Sequence, residues 1–291
     1  MDTIGLDLHK RESQLCIGLD DGQIIEQRIA TTRERFTAEL GARSRARILL
    51  EASTESEWVA RHLESLGHEV IVADPNFAPM HATRSRRRRP IAATRTLIEA
   101  CRLGAYRIAH RVAAARRHER AELAVREALV RTRTRYIAVA KTLVRRDGLR
   151  VAASESHLVA QRIAALELSP TLSAELLPLF QILAPINEQI DAADRRIAAL
   201  VSTDPAMRLL ATAPSIGPIT ASAIVATADD MTRFASAHRF EAFFGLVPGE
   251  RIAVVAIARR LAGILYAMWR DGVPYDAARL RAPASEERLT A

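Results

Sequence analysis

The sequence predicts an α/β protein, with a strand-rich N-terminal part followed by a mainly helical remainder. Three observations carry this reading. Residues 3–31 alternate apolar and polar with period two. Two short, fully apolar runs then flank a stretch with helical spacing. From about residue 116 the apolar residues recur at heptad intervals.

The elements follow in order. Residues 3–10 (TIGLDLHK) and 15–19 (LCIGL) read as strands. Asp20-Asp21-Gly22 is a turn signal, and residues 23–31 (QIIEQRIAT) return as a further strand. Residues 46–53 (ARILLEAS) suit a strand buried on both faces. Residues 55–67 place Trp58, Val59, His62, Leu63 and Leu66 on one helical face, and Gly67 ends the helix. Residues 68–75 (HEVIVADP) form another buried strand, stopped by Pro75. Three antiparallel strands, then alternating helix and strand, is the order of an RNase H-like fold. Further on, Leu123, Val130, Ile137 and Val144 recur at seven, as do Leu176, Leu183, Ile190 and Ile197. Such spacing predicts two helices that bury a seam, either between chains as a coiled coil or within one as a hairpin. Pro178 and Pro185 each remove a backbone donor, so a kinked or segmented second helix is expected.

Composition narrows the function classes. The hydrophobic fraction of 49% predicts a folded chain. No apolar run is long enough to cross a bilayer, and the first residues carry no apolar signal core, so a cytoplasmic protein without membrane contact is expected. Cys16 and Cys101 lack metal or disulfide spacing and read as buried thiols. The eight histidines form no HExxH or paired-ligand pattern. The net charge of +8 is concentrated: residues 84–117 hold eleven arginines and one acid, about +10 by themselves. A block of this kind suits a polyanion such as nucleic acid. Only two of the 42 basic residues are lysines, Lys10 and Lys141, but GC-rich coding DNA also produces such an arginine excess.

Two acids stand out. Asp7 lies on the first strand between Leu6 and Leu8, and Glu51 ends the apolar strand ILLE. If these strands are neighbours, both carboxylates can converge at one rim of the sheet and hold a hard divalent cation through oxygen. Spacing alone leaves this even with two unrelated surface acids. Residues 213–226 (APSIGPITASAIVA) have the form of a helix-hairpin-helix turn, where Gly217 and the next helix would offer backbone N–H groups to a phosphate. A plain connection punctuated by Gly217-Pro218 is the alternative. Phe240, Phe243 and Phe244 read as core.

Several blocks carry a family resemblance: GLDLHK, LLEAS, LESLGHEV, VIVADP, EACRLGAYRIAHR, IGPITASAIVAT and RFEAFFGLVPGE. Together they resemble the DEDD, RuvC-like transposases of the one-ten family of bacterial insertion sequences, relatives of the Piv and MooV recombinases. The resemblance implies an RNase H-like (RuvC-type) domain over 1–115, a helical coiled-coil segment over 116–203 and a C-terminal transposase domain over 204–276. A polar tail, 277–291, follows. It implies catalytic and metal-binding roles for Asp7 and Glu51 with Mg²⁺ or Mn²⁺, DNA as partner, a structured guide RNA in some relatives, and a homo-oligomer. Lys10, Arg84, Arg86, Arg87, Arg88, Arg89, Arg102, Arg107, Gly217 and Thr220 are the nucleic-acid contacts expected.

The chain departs from the family pattern twice. The last two acids belong to a motif Lys-Thr-Asp-x-x-Asp-Ala before the EACRLGAYR block, but residues 88–95 read Arg-Arg-Pro-Ile-Ala-Ala-Thr-Arg. No carboxylate stands near 90 or 93. The codons AAG ACC GAT CGC CGC GAC GCG encode that motif and, read one base later, give Arg-Pro-Ile-Ala-Ala-Thr, the order of residues 89–94. A short compensated frameshift accounts for the loss, and part of the Arg86–Arg89 run is then its by-product. After Gly249-Glu250 the sequence passes directly into the final helix, RIAVVAIARRLAGILYAMWRDG, without the segment that carries the nucleophilic serine; Ser215 and Ser236 do not match it. The expectation is a transposase copy with impaired chemistry. The alternative is a non-catalytic nucleic-acid-binding or oligomerising regulator of an intact transposase. A sugar-kinase-like domain ranks last, since it would need later Gly-rich phosphate loops.

Overall fold

The computed structural model describes residues 1–77, 91–246 and 252–277. The chain divides into two compact units, Met1–Arg111 and Val112–Ala291. The predicted run Arg84–Arg89, the junction at 247–251 and the tail from 278 lie outside the described residues.

In the first unit, β1 (Thr3–Asp7), β2 (Glu12–Gly18) and β3 (Ile24–Ala30) form an antiparallel meander. The β2–β3 turn closes on Gly22, at φ +89°. Helix α1 (Arg33–Leu40) follows, capped by Thr32, whose hydroxyl accepts from the Arg35 amide. This helix is not among the predicted elements. Next come β4 (Arg47–Glu51), α2 (Ser56–Ser65) and β5 (Glu69–Ala73). Strand β4 pairs parallel with β1, and β5 pairs parallel with β4, giving the order β3-β2-β1-β4-β5. Helix α3 (Ile91–Leu103) comes next, and the chain then bridges Ala73 antiparallel through Ile108.

Strand parity sets the two faces of the sheet. Ile4, Leu6, Leu15, Ile17, Ile48, Leu50 and Val72 bury against Phe36 and Leu40 of α1 and Val59, Ala60 and Leu63 of α2. On the opposite face, Leu49 and Ala73 pack with Leu97, Ala100 and Cys101 of α3. His68 locks the first layer. Its Nδ1 accepts from the Ala46 amide at 3.2 Å, so Nε2 is the donor to the Leu40 carbonyl at 3.0 Å. Gly67, at φ +94°, ends α2 as the sequence predicts.

The second unit is helical. Its long helices are α4 (Ala114–Arg146) and α6 (Pro170–Thr203), separated by the short α5 (Val159–Ala164). Polar pairs fix their direction: Arg116 with Asp204, Arg196 with Glu122, Arg133 with Asn187 and Arg146 with Glu175. As numbers rise along α4 they fall along α6, so the two make an antiparallel hairpin, with the seam buried inside one chain. Helix α6 corrects an expectation, since it runs unsegmented through Pro178 and Pro185. Both prolines sit on the exposed side, while Leu176, Leu183, Ile186 and Ile190 are buried. Water can take the carbonyls each proline leaves without a partner, and packing of the other face holds the helix together. Helices α7 (Pro205–Leu210), α8 (Pro218–Ala228), α9 (Ala237–Phe243) and α10 (Ile252–Asp271) complete the unit. Phe240 is buried among Phe234, Phe244 and Tyr266, so it is core as predicted, whereas Phe243, predicted with it, is 44% exposed.

Candidate active site

The two acids singled out in the sequence end neighbouring parallel strands. The β1–β4 register pairs Gly5 with Leu49 and Leu6 with Leu50, so the next step sets Asp7 beside Glu51, on strands about 4.8 Å apart. Alternation puts both on the face of Gly5 and Leu49, opposite the face buried by Leu6 and Leu50. Both are half-buried, and Asp7 keeps 21% of its side chain exposed. His9 Nε2 stands 3.8 Å from Asp7 Oδ2.

Helix α3 arrives on the same face, and one residue lets it. A Cβ at Gly5 would collide with the Thr94 carbonyl oxygen and lie 3.0 Å from the Leu97 Cβ. The glycine therefore brings the opening turns of α3 against β1, two residues before Asp7. Thr94 is buried there, as are Leu97 and Ile98. The family resemblance places a helix opening just before the EACRLGAYR block, and Leu97, Ile98 and Cys101 carry the apolar spacing of this helix.

The donor set is chemically right for a hard cation but falls short of a cage. Among the described residues no three His, Cys, Asp or Glu side chains come together. Asp74, at the end of β5, is engaged elsewhere: it accepts from the Asn76 amide at 2.8 Å and from Arg107. The Asn76 amide and the Arg107 guanidinium hold its carboxyl below the usual carboxylate range.

The basic segment is less available than its linear charge suggests. Arg107, expected to contact nucleic acid, pairs with Asp74 and lies 5.6 Å from the centre of the Phe77 ring. Arg95 pairs with Glu26, and Arg111 with Glu57 and Glu64. Arg116 meets Glu119 at 3.0 Å and Asp204 at 2.7 Å. Apart from Arg116–Glu119, these pairs join residues distant in sequence, so a count along the chain misses them. Lys10 and Arg102 are exposed, and the Arg102 guanidinium lies over Gly18. Cys16 and Cys101 are buried, and burial pushes both thiols up, as expected of inert cysteines.

In the second unit, Gly217 caps α8 with no side-chain hydrogen bond, followed by Pro218. Gly217 and Thr220 are exposed, and the preceding Ser215 takes φ +67°. Ser236 caps α9, its Oγ accepting from the Arg239 amide, which is a structural role. The far end of α8 is closed by Arg120, which donates to the Ala226 and Thr227 carbonyls, and by Arg233, which donates to that of Ala228. No helix among the described residues is long and apolar enough to cross a membrane.

A family model described as Transposase IS116/IS110/IS902 family matches residues 207–253. The chain is 30% identical over 206 residues to a Sinorhizobium fredii protein named as transposase y4pF/y4sB; the match covers 70% of this chain and 53% of that protein. It is 26% identical over 260 residues to a family 20 transposase of Pseudomonas aeruginosa, covering 86% of this chain and 75% of the relative. It is also 26% identical over 275 residues to the transposase for insertion sequence element IS1328 of Yersinia enterocolitica, covering 88% and 78%. The chain thus spans about half the length of the first of these relatives and about three quarters of the others.

Proposed function

Since the chain belongs to the IS116/IS110/IS902 family of transposases, we propose that it acts on insertion-sequence DNA through an RNase H-like first unit whose cleavage centre is incomplete. The strand order β3-β2-β1-β4-β5, with three antiparallel strands followed by two added in parallel, supports the RNase H-like reading. The observation that carries the proposal is the β1–β4 register, which brings Asp7 and Glu51 to one rim on the face that α3 covers. A divalent cation held there would help activate water and stabilise the leaving oxygen of a phosphodiester. Two carboxylates supply about half the formal charge of a four-acid site, so Mg²⁺ or Mn²⁺ binding is weak.

The test is strand cleavage on a donor DNA carrying the element ends, with Mg²⁺ or Mn²⁺, comparing the chain with its Asp7→Ala variant. The expected result is little or no product from either. Robust cleavage that disappears with Asp7→Ala would overturn the incompleteness while upholding the site. The missing donors favour a second reading, a non-catalytic regulator of an intact relative that binds DNA or a structured RNA. Stable co-purification with such a relative, in the absence of cleavage by this chain alone, distinguishes that role. A homo-oligomer remains part of the proposal, although the α4–α6 seam closes within one chain and gives it no support.

A further inference from the structure

Outside the candidate active site, the one cavity among those described that is walled by cations lies at the tip of the helical hairpin. Helix α4 ends at Arg146 and the chain reverses through Gly148, at φ +78°, with the Gly148 amide donating to the Arg145 carbonyl and the Leu149 amide to that of Val144. The reversal returns residues 149–151 along the helix. Together with Lys141 and Arg145 they enclose a cavity of about 410 Å³, lined by Lys141, Arg145, Leu149, Arg150 and Val151.

No acid lines it among the described residues. Several other arginines of the hairpin are matched to acids: Arg126 with Asp194, Arg131 with Glu127, Arg196 with Glu122. Asp147 and Glu175 are both taken by Arg146, and Glu155 stands 3.4 Å from His157. Lys141, Arg145 and Arg150 have no carboxylate within ion-pair distance among the described residues. The helix dipole does not account for all three, because it favours cations only in the last turn. Lys141 precedes that turn and Arg150 lies beyond the helix. Three like charges around one cavity repel each other until an anion enters. Leu149 and Val151 add a half-buried apolar wall against which a sugar can rest.

We infer that this cavity binds the phosphodiester backbone of a nucleic acid, with Lys141, Arg145 and Arg150 contacting phosphate oxygens. The inference rests on the reading of the chain as a nucleic-acid-acting protein, and the site shares no residue with the Asp7–Glu51 pair or the Arg84–Arg89 run. A phosphate contact made by each of three cations releases condensed counterions, which fixes the form of the test.

The experiment measures affinity by fluorescence anisotropy for a labelled DNA duplex and, separately, an RNA hairpin, across roughly 50 to 200 mM salt. The full-length chain is compared with a Lys141→Gln/Arg145→Gln/Arg150→Gln variant. A charge-preserving Lys141→Arg/Arg145→Lys/Arg150→Lys variant and Arg131→Gln, on the same helix but paired with Glu127, serve as controls. The expected result is a loss of about two to three in the magnitude of the log–log salt slope for the triple Gln variant, with affinity reduced on the order of tenfold or more. The charge-preserving variant keeps the slope, and Arg131→Gln changes it by less than about one. Loss on one nucleic acid alone identifies the source of the phosphate. If the triple Gln variant keeps the wild-type slope on both, the inference is wrong while the parent reading stands. If the unaltered chain binds neither nucleic acid, both fall together.

Discussion

Single residues decide how closely α3 approaches the acid-bearing strands. Gly5 faces the backbone of that helix, and a methyl group there meets the Thr94 carbonyl, which cannot rotate away as a flexible side chain could. Gly5→Ala should therefore cost about 1–3 kcal/mol, the range for overpacking a tight contact. Urea unfolding checks it, and an unchanged midpoint would show that α3 does not press on β1. The role of Gly5 was not legible in the sequence, because it depends on which helix covers which strand face. Asp7 and Glu51 were legible as a pair because strand parity and the end of an apolar run are local signals. The engagement of Asp74 by Arg107 was not, since the two lie 33 positions apart and meet only through the bridge beside β5.

At the level of elements, the sheet strands were readable from alternation and turn chemistry, and the hairpin helices from heptad spacing. The gaps have physical causes. Helix α1 has only eight residues and buries just Phe36 and Leu40, too few to establish a period, so its clearest signal is the Thr32 cap. Helix α3 was expected from the family resemblance alone, because arginine dominates its neighbourhood and masks the apolar spacing. Helix α6 was expected to be kinked or segmented at its prolines; it is not segmented, because tertiary packing overrides the local rule against interior proline. The override leaves a measurable cost. Pro185 is exposed and removes the hydrogen bond to the Gln181 carbonyl. Pro185→Ala restores that bond and improves propensity, against a smaller loss from freeing the unfolded chain. A net gain of about 1–3 kcal/mol is expected, seen as a rise of several degrees in Tm by calorimetry. A lower Tm would mean that the proline ring itself contributes to packing.

For the whole molecule, charge determines both the candidate centre and its repair. The chain carries +8 overall, yet several arginines of its densest basic segment are matched to acids within the fold. Among the described residues, only Asp7 and Glu51 supply carboxylates at the proposed metal site. The positions near 90 and 93, where the family resemblance places the last two carboxylates, hold Pro90 and Ala93. Helix α3 begins at Ile91, so a carboxylate at 93 would fall within its first turn, where the helix dipole stabilises negative charge. Pro90→Asp with Ala93→Asp takes the formal charge of the site from −2 to −4, and affinity for a divalent cation rises steeply with carboxylate count. Titration calorimetry with Mn²⁺ should then show binding at least about tenfold tighter than in the unaltered chain, and Asp7→Asn should remove the gain. The gene offers an independent check: codons 84–96 should spell the Asp-containing motif in the neighbouring frame. If the double substitution leaves Mn²⁺ binding unchanged while the protein stays folded, then α3 does not deliver its opening turn to the Asp7–Glu51 rim, and the RNase H-like assignment of this unit fails with it.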